Sequence, residues 1–519
     1  MPVHWNRRRP FAVAAVLFAV ALGCRPASAQ AGANDVEALR REVQELRRRD
    51  EENRKRLAAM EQALERLQSQ APPQKPPATA QIDADDELDK ALAEASRSDS
   101  SGIAITSAQP GILSRQVGGM NLRLIDVSFD IMSAAGTSTE RGDALRDLQA
   151  GAHDPTKRGF TLQQGELSLA GAVDPYLVGE AHMVFTTDHV ELEEAFLTTQ
   201  ALPYRLQLEA GYFLTEFGLV NPLHAHAWEF IDQPLIVSRL LGFEGLRSPG
   251  GRLAWLAPLP WFSELHFGVQ NANEGSFTRS FAGSSIGGRP TFDRDVRSLG
   301  GLLYLARWNN SWNVTANTTA VIGVSSLYGP NASGPDGETW IYGADLRVRW
   351  RPPNSFMGWP YVTWQTEVMK RDYAADWYVA GSIDDGGGGD HGHDHGHEHG
   401  AEEDSVFPND LPGGILRDVG MYTQLLYGFR WGWQGGLRFE YAGGHRPSVV
   451  NGLIGRRQDD PFRDDRLRLS PLLSWRPTEF SRFRLQYNYD HARHLHGNHA
   501  HSVWLGAEVL YGSHAAHRF

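Results

Sequence analysis

Arg482-Phe483-Arg484-Leu485-Gln486-Tyr487-Asn488-Tyr489-Asp490 decides the fold. Phe483, Leu485, Tyr487 and Tyr489 alternate with charged or polar residues at every step. Successive side chains of an extended chain point to opposite faces, so a period of two gathers the apolar groups on one face and the charges on the other. Ala344, Leu346, Val348 and Trp350 alternate in the same way with Asp345, Arg347 and Arg349. So do Tyr204, Leu206, Leu208, Ala210 and Tyr212 with Arg205, Gln207 and Glu209, and Val127, Phe129 and Ile131 with Asp126, Ser128 and Asp130. A soluble β-sandwich alternates too. Three features favour a membrane barrel: the polar face is charged in segment after segment, the segments run to about ten residues, and aromatics gather at their ends.

Sixteen such segments begin near residues 120, 161, 176, 190, 204, 250, 262, 298, 312, 338, 361, 417, 432, 465, 481 and 503. Their connectors are alternately short (172–175, 257–261, 351–360, 476–480) and long (133–160, 214–249, 273–297, 380–416, 443–464). Short inner turns and long outer loops are the rule for outer-membrane barrels, and the terminal Phe519 fits their assembly signal. The expected fold class is an all-β transmembrane barrel of about 16 antiparallel strands (14–18), preceded by an α-helical coiled coil.

Composition narrows the alternatives. The chain has 519 residues, 50 Lys+Arg against 62 Asp+Glu, and a net charge of -12, which is no nucleic-acid footprint. The single cysteine, Cys24, excludes a disulfide framework and a cysteine-built metal site. No apolar run reaches the roughly 18 residues of a membrane helix.

The expected organisation is a signal peptide over 1–29, a coiled coil over 30–70, a Pro-rich and acidic periplasmic linker over 71–115, and an outer-membrane barrel over 116–519. Arg7, Arg8 and Arg9, an apolar core from Phe11 to Gly23 and Ala27-Ser28-Ala29 make the secretory address. Lipid attachment at Cys24 is the alternative. Val36, Leu39, Val43, Leu46, Leu57, Met60, Leu64 and Leu67 keep the 3–4 spacing of a coiled-coil seam, with Asp50 and Asn53 as its polar interruption. Pro72, Pro73, Pro76 and Pro77 end that helix.

This layout resembles the trimeric outer-membrane porins, and the arm, linker and barrel together most resemble their phosphate-selective type. The resemblance implies a homotrimer, held through barrel and coiled coil, in contact with outer-membrane lipid, with the arm reaching peptidoglycan or a periplasmic partner. The stretch Gly211 to Pro234, with the later His/Asp tract, resembles proteobacterial outer-membrane proteins known as zinc-regulated receptors, some described as TonB-dependent. The chain has no segment of plug-domain length before the first strand, which argues for an open pore.

Twelve of the 20 histidines fall in three windows. His391, His393, Asp394, His395, His397, Glu398 and His399 follow a glycine run and form a flexible tract able to wrap Zn²⁺ or a similar divalent metal weakly. His494, His496, His499 and His501, beside His491, are a second candidate set. A bland polar loop is the plain alternative. The third window lies in the 214–249 connector, which is too apolar to stand in water and is expected to fold into the barrel mouth. There His224, His226, Glu229 and Asp232 would form a constriction, either as a filter and transient metal stop or as a structural pair. Arg347, Arg349, Arg438, Arg466, Arg468, Arg482 and Arg484 are assigned to the lumen, with Asp345, Glu367, Glu440 and Asp490. Rings of arginine favour anions, whereas acidic outer loops attract cations.

The expected function is passive passage of small hydrophilic solutes through a porin-like channel, with outer His loops that bind zinc for uptake and no required cofactor. The alternative is a metal-binding or envelope-tethering barrel without transport. No serine-based catalytic motif stands out, so an enzyme is not expected.

Overall fold

The computed structural model describes residues 114–117, 120–123, 125–148, 151–378, 411–445, 447–450, 453–454 and 460–512. The expected signal peptide and coiled coil, nearly all of the linker, and the 391–399 tract lie outside these residues.

Sixteen antiparallel strands close into one barrel. They are β1 (Asp126–Ser138), β2 (Gly159–Ala172), β3 (Leu177–Phe185), β4 (Val190–Thr199), β5 (Leu206–Leu214), β6 (Arg247–Leu256), β7 (Phe262–Asn271) and β8 (Leu302–Thr315). The second half comprises β9 (Thr318–Pro330), β10 (Glu338–Trp350), β11 (Tyr361–Ala375), β12 (Gly414–Arg430), β13 (Trp433–His445), β14 (Arg466–Thr478), β15 (Ser481–Ala492) and β16 (His499–Gly512). Each strand pairs with its sequence neighbour, and β16 pairs with β1 through Ser502↔Ser138 to Gly512↔Ser128. Closure leaves the barrel wall itself without a free edge strand.

The alternation behaves as expected. In β15, Phe483, Leu485 and Tyr487 are exposed while Arg482, Arg484, Gln486, Asn488 and Asp490 are buried inside. Exposed Leu425, Leu437, Leu505 and Val509 continue the apolar exterior around the wall. Tyr176, Tyr204, Trp261, Trp350, Trp431 and Tyr511 ring the end with the short turns. Such aromatic belts suit a membrane interface, where an apolar ring meets a wet edge.

Two starts lie about six residues beyond expectation. Met120–Arg123 is paired with Ser114–Val117 in a separate hairpin, so β1 begins at Asp126. Gly118-Gly119 between the two segments is a hairpin signal that competes with a longer first strand. The eighth and ninth strands meet at Thr315 and Thr318 rather than near 312, because Ala316-Asn317 makes a tight turn.

Two short helices sit in connectors: α1 (Asp143–Leu148) between β1 and β2, and α2 (Leu235–Leu241) between β5 and β6. Among the described residues, the largest apolar core is formed where the second of these connectors packs on inward wall residues such as Met132, Leu305, Leu327, Ile341, Met369 and Tyr422.

Candidate functional site

The connector of residues 215–246 folds into the barrel. Phe217, Val220, Phe230, Ile231 and every residue of α2 are buried. Pro234 has the dihedral angle that starts α2, and Gly242, at φ +112°, ends it where a side chain would be strained. The wall makes room for this apolar stretch. A side chain at Gly343 would meet the Phe217 ring at 2.6 Å, and one at Gly420 would meet Ile236 at the same distance.

Polar staples fix the far side. Asp232 is fully buried. Its Oδ1 accepts from Arg438 and, at 2.7 Å, from Gln486; its Oδ2 accepts from Arg468 and Asn488 at 2.8 Å each. Burial pushes the Asp232 carboxyl up, but Arg438 and Arg468 outweigh it and hold the group well below the usual carboxylate range. Arg484 donates to the carbonyls of Trp228 and Phe230 at 3.1 and 2.9 Å, and Arg482 to Trp228 at 2.9 Å. Glu440 accepts from the Leu235 N–H at 2.8 Å, and Glu367 from Leu219 and Val220. Arg466 and Arg468 both donate to Asp490 and to the carbonyl of Leu148, which ties in the first connector. In that connector, Asp154 accepts from the Gln233 N–H at 2.9 Å. Burial and then the charge of Asp232 raise the Asp154 carboxyl to about 8.

This corrects one expectation. Arg438, Arg466, Arg468, Arg482 and Arg484 point inward, as their parity requires, but of these five only Arg482 lines open space. Arg438 and Arg468 pair with Asp232 of the connector, Arg466 with Asp490 and Arg484 with Glu508 of the wall, because an apolar loop crossing a charged wall must leave every guanidinium it covers satisfied. Arg347 and Arg349 remain on water. They line a cavity of about 920 Å³ between the connector and the short turns, and among the described residues neither forms an ion pair with a carboxylate. Asp130, Glu229 and Glu508 line the same cavity. Glu229 reaches Arg476 at 2.9 Å, so it anchors the connector at the cavity edge.

The near side of the connector meets a cluster of histidines and carboxylates. His224 Nδ1 lies 3.0 Å from Glu166 Oε1 and 3.0 Å from Glu193 Oε2. Its Nε2 lies 2.7 Å from Glu194 Oε2, and His226 Nδ1 lies 2.8 Å from Glu166 Oε2. His182 Nδ1 bonds Ser168 Oγ at 2.8 Å and faces Glu166 Oε1 at 3.3 Å. The His182 and His224 ring centroids are 4.5 Å apart. Burial opposes a charge on His224, but Glu193 and Glu166 outweigh it and hold the imidazolium well above the ordinary histidine range. His226 is raised in the same sense, with burial opposing and Glu166 prevailing.

A bulge builds this cluster. Strict alternation would send Glu193 and Glu194 to opposite faces. The β3–β4 register shifts between His182↔Glu194 and Met183↔Leu192, so Glu193 is the extra residue. Both carboxylates therefore turn inward, and both are buried. His224 and His226, expected at a constriction, lie in the inward-folded connector and face Glu166. Glu166, His182, Glu193 and Glu194 were not singled out, although inward parity with His182 marks Glu166 and Glu180 as wall carboxylates.

The last-hairpin histidines are placed otherwise. His494 bonds Asp464 at 3.0 Å, while His501 bonds Tyr487 at 2.6 Å on the outer side of the wall. His496 lies in a turn and His499 starts β16 beside His501. Among the described residues, the groups of three or more metal-ligating side chains are Glu166–His224–His226 and His182–Glu194–His224.

No protein-family model matches the chain. An uncharacterized protein of Aquifex aeolicus (strain VF5) is 30% identical over 350 residues, 65% of this chain. The match spans 64% of that relative's length, so less than two thirds of it is shared. Among solved structures, the anion-selective porin from Comamonas acidovorans is similar over 75% of this chain and 99% of its own, at 6% identity and a TM-score of 0.44. The outer-membrane channel DcaP of Acinetobacter baumannii covers 75% and 97%, at 12% identity and a TM-score of 0.44. OmpT of Vibrio cholerae in its trimer form covers 75% and 99%, at 7% identity and a TM-score of 0.42.

Proposed function

We propose that this protein is an outer-membrane channel for small hydrophilic solutes, narrowed by the inward-folded 215–246 connector. The observation that carries the reading is a closed barrel with an apolar, aromatic-belted exterior and a polar cavity of about 920 Å³ beneath the connector. A chain that shows apolar groups outward and charges inward around a closed wall is soluble neither in water nor in lipid alone; a membrane with water inside the barrel satisfies both faces. Passive passage then depends on how far the connector yields. Arg347 and Arg349 give the cavity a wall of unpaired positive charge, so the channel prefers anions on that side. The His391–His399 tract serves in this reading to concentrate zinc or a similar ion at the outer face, and homotrimer assembly through barrel and arm completes it.

The connector's burial favours a second reading. Its apolar core and the Asp232 staples hold it inside the barrel, which suits a metal-binding or envelope-tethering barrel without transport. Single-channel recording of the refolded full chain in a planar bilayer separates the two. Stepwise currents that grow when residues 219–245 are replaced by a short Gly/Ser turn support the channel. A silent wild-type barrel that conducts only after that replacement supports the second reading.

A further inference from the structure

We propose that Glu166, His224 and His226, completed by Glu193, form a buried site for one divalent transition-metal ion of borderline softness, with zinc the best match. This inference goes beyond the channel reading and does not depend on it, since its test measures metal binding and not current.

The donor set decides the class of ion. Imidazole nitrogen with carboxylate oxygen suits zinc, cobalt and nickel; all-oxygen cages suit magnesium and calcium, and thiolates select copper(I). The ligating atoms of Glu166, His224 and His226 all lie within 4.8 Å of one another. The His224 Nδ1 contacts to Glu166 and Glu193 are 3.0 Å each, near the roughly 3.3 Å that separates ligands around a tetrahedral zinc.

The proton arrangement fits as well. Glu194 faces His224 Nε2 at 2.7 Å and is itself held by the Leu214 N–H at 2.5 Å. A cation entering at Nδ1 displaces the proton that faces Glu166 and Glu193, while Glu194 keeps the one on Nε2 and fixes the ring. His224 Nδ1 and Glu193 Oε2 are both buried and both lack a hydrogen bond, although they lie 3.0 Å apart. An ordinary ion pair would align N–H with oxygen; this misaligned 3.0 Å approach is the spacing of two ligands on one cation. Around this centre Ser168 and Gln164 hold Glu166 at 3.0 and 3.2 Å. Ser168 and His226 also line the cavity of about 920 Å³, which provides the entry path.

The site joins two parts of the molecule. Glu166 and Glu193 belong to β2 and β4, while His224 and His226 belong to the connector. A bound ion therefore pins the connector to the wall at strands other than those that carry the Asp232 staples.

Cobalt(II) titrated into the refolded full chain in detergent tests this, read by the visible absorption of four- or five-coordinate cobalt. One tight equivalent with that absorption is expected, displaced by zinc. His226→Ala and Glu193→Gln are expected to weaken it by roughly 100-fold or more, beyond the loss of an outer-shell partner. A chain with the 391–399 histidines changed to serine is expected to lose weak sites and keep the tight one. The heat-dependent gel shift of the folded barrel reports that each variant folds. Absence of the absorption, its persistence in both ligand variants, or its loss with the 391–399 substitution would each overturn the proposal.

Discussion

Asp232 shows how one carboxylate can hold a loop. It is fully buried and engages Arg438, Arg468, Gln486 and Asn488 at once. Replacing Asp232 by Ala leaves Arg438 only Glu440 and Arg468 only Asp490 as anions, and strips Gln486 and Asn488 of their acceptor, which costs about 3 kcal/mol. Denaturant unfolding followed by tryptophan fluorescence should register that loss, and protease should then cut the released connector. Asp154 is the complementary case. Its carboxyl is raised to about 8, first by burial and next by Asp232. The folded chain thus holds a proton that the unfolded chain releases at the ordinary carboxylate value. The stability tied to that proton is whole below about pH 4, falls as pH rises, and is gone above about pH 8. Unfolding midpoints measured across that window should decline, and Asp154→Asn should flatten the decline.

Strands and connectors impose their own conditions. The β3–β4 bulge turns two successive glutamates to one face, which regular alternation cannot do. Deleting Glu193 should restore the ladder, abolish the paired carboxylates and free the His224 side of the connector. A wider spread of connector positions in site-directed spin-label spectra would register it. The close approach at Gly343 sets a second condition. Any side chain there meets the Phe217 ring, so Gly343→Leu should push the connector off β10 and raise conductance without opening the barrel. Unchanged current in a folded Gly343→Leu barrel would show that this limb does not limit passage.

The closed wall as a whole answers to its solvent on each face. Leu425 stands on the apolar exterior of β12. Leu425→Arg should destabilise the inserted barrel by about 2–4 kcal/mol if the position is near mid-membrane, and much less in detergent. Inside, Arg347 and Arg349 face the cavity without carboxylate partners among the described residues. Changing both to Glu should move the zero-current potential in a salt gradient toward cation preference, with the effect fading as salt rises.

The strand number, the parity of nearly every wall residue and the inward fold of the 215–246 connector all follow from residue order alone. Alternation has a period of two, and an apolar connector has nowhere to go but the lumen. Parity also put Arg438, Arg466, Arg468, Arg482 and Arg484 inside. It could not tell whether water or protein would meet them, because that depends on where Asp232 lands, more than 200 residues away in sequence from Arg438. The candidate metal centre was half visible. His224 and His226 advertise themselves two residues apart, but Glu166 lies 60 residues from His226 and Glu193 faces inward only through a bulge. Local pattern determines which face a side chain takes. Closure of the barrel and the descent of the connector determine which distant side chains share that face.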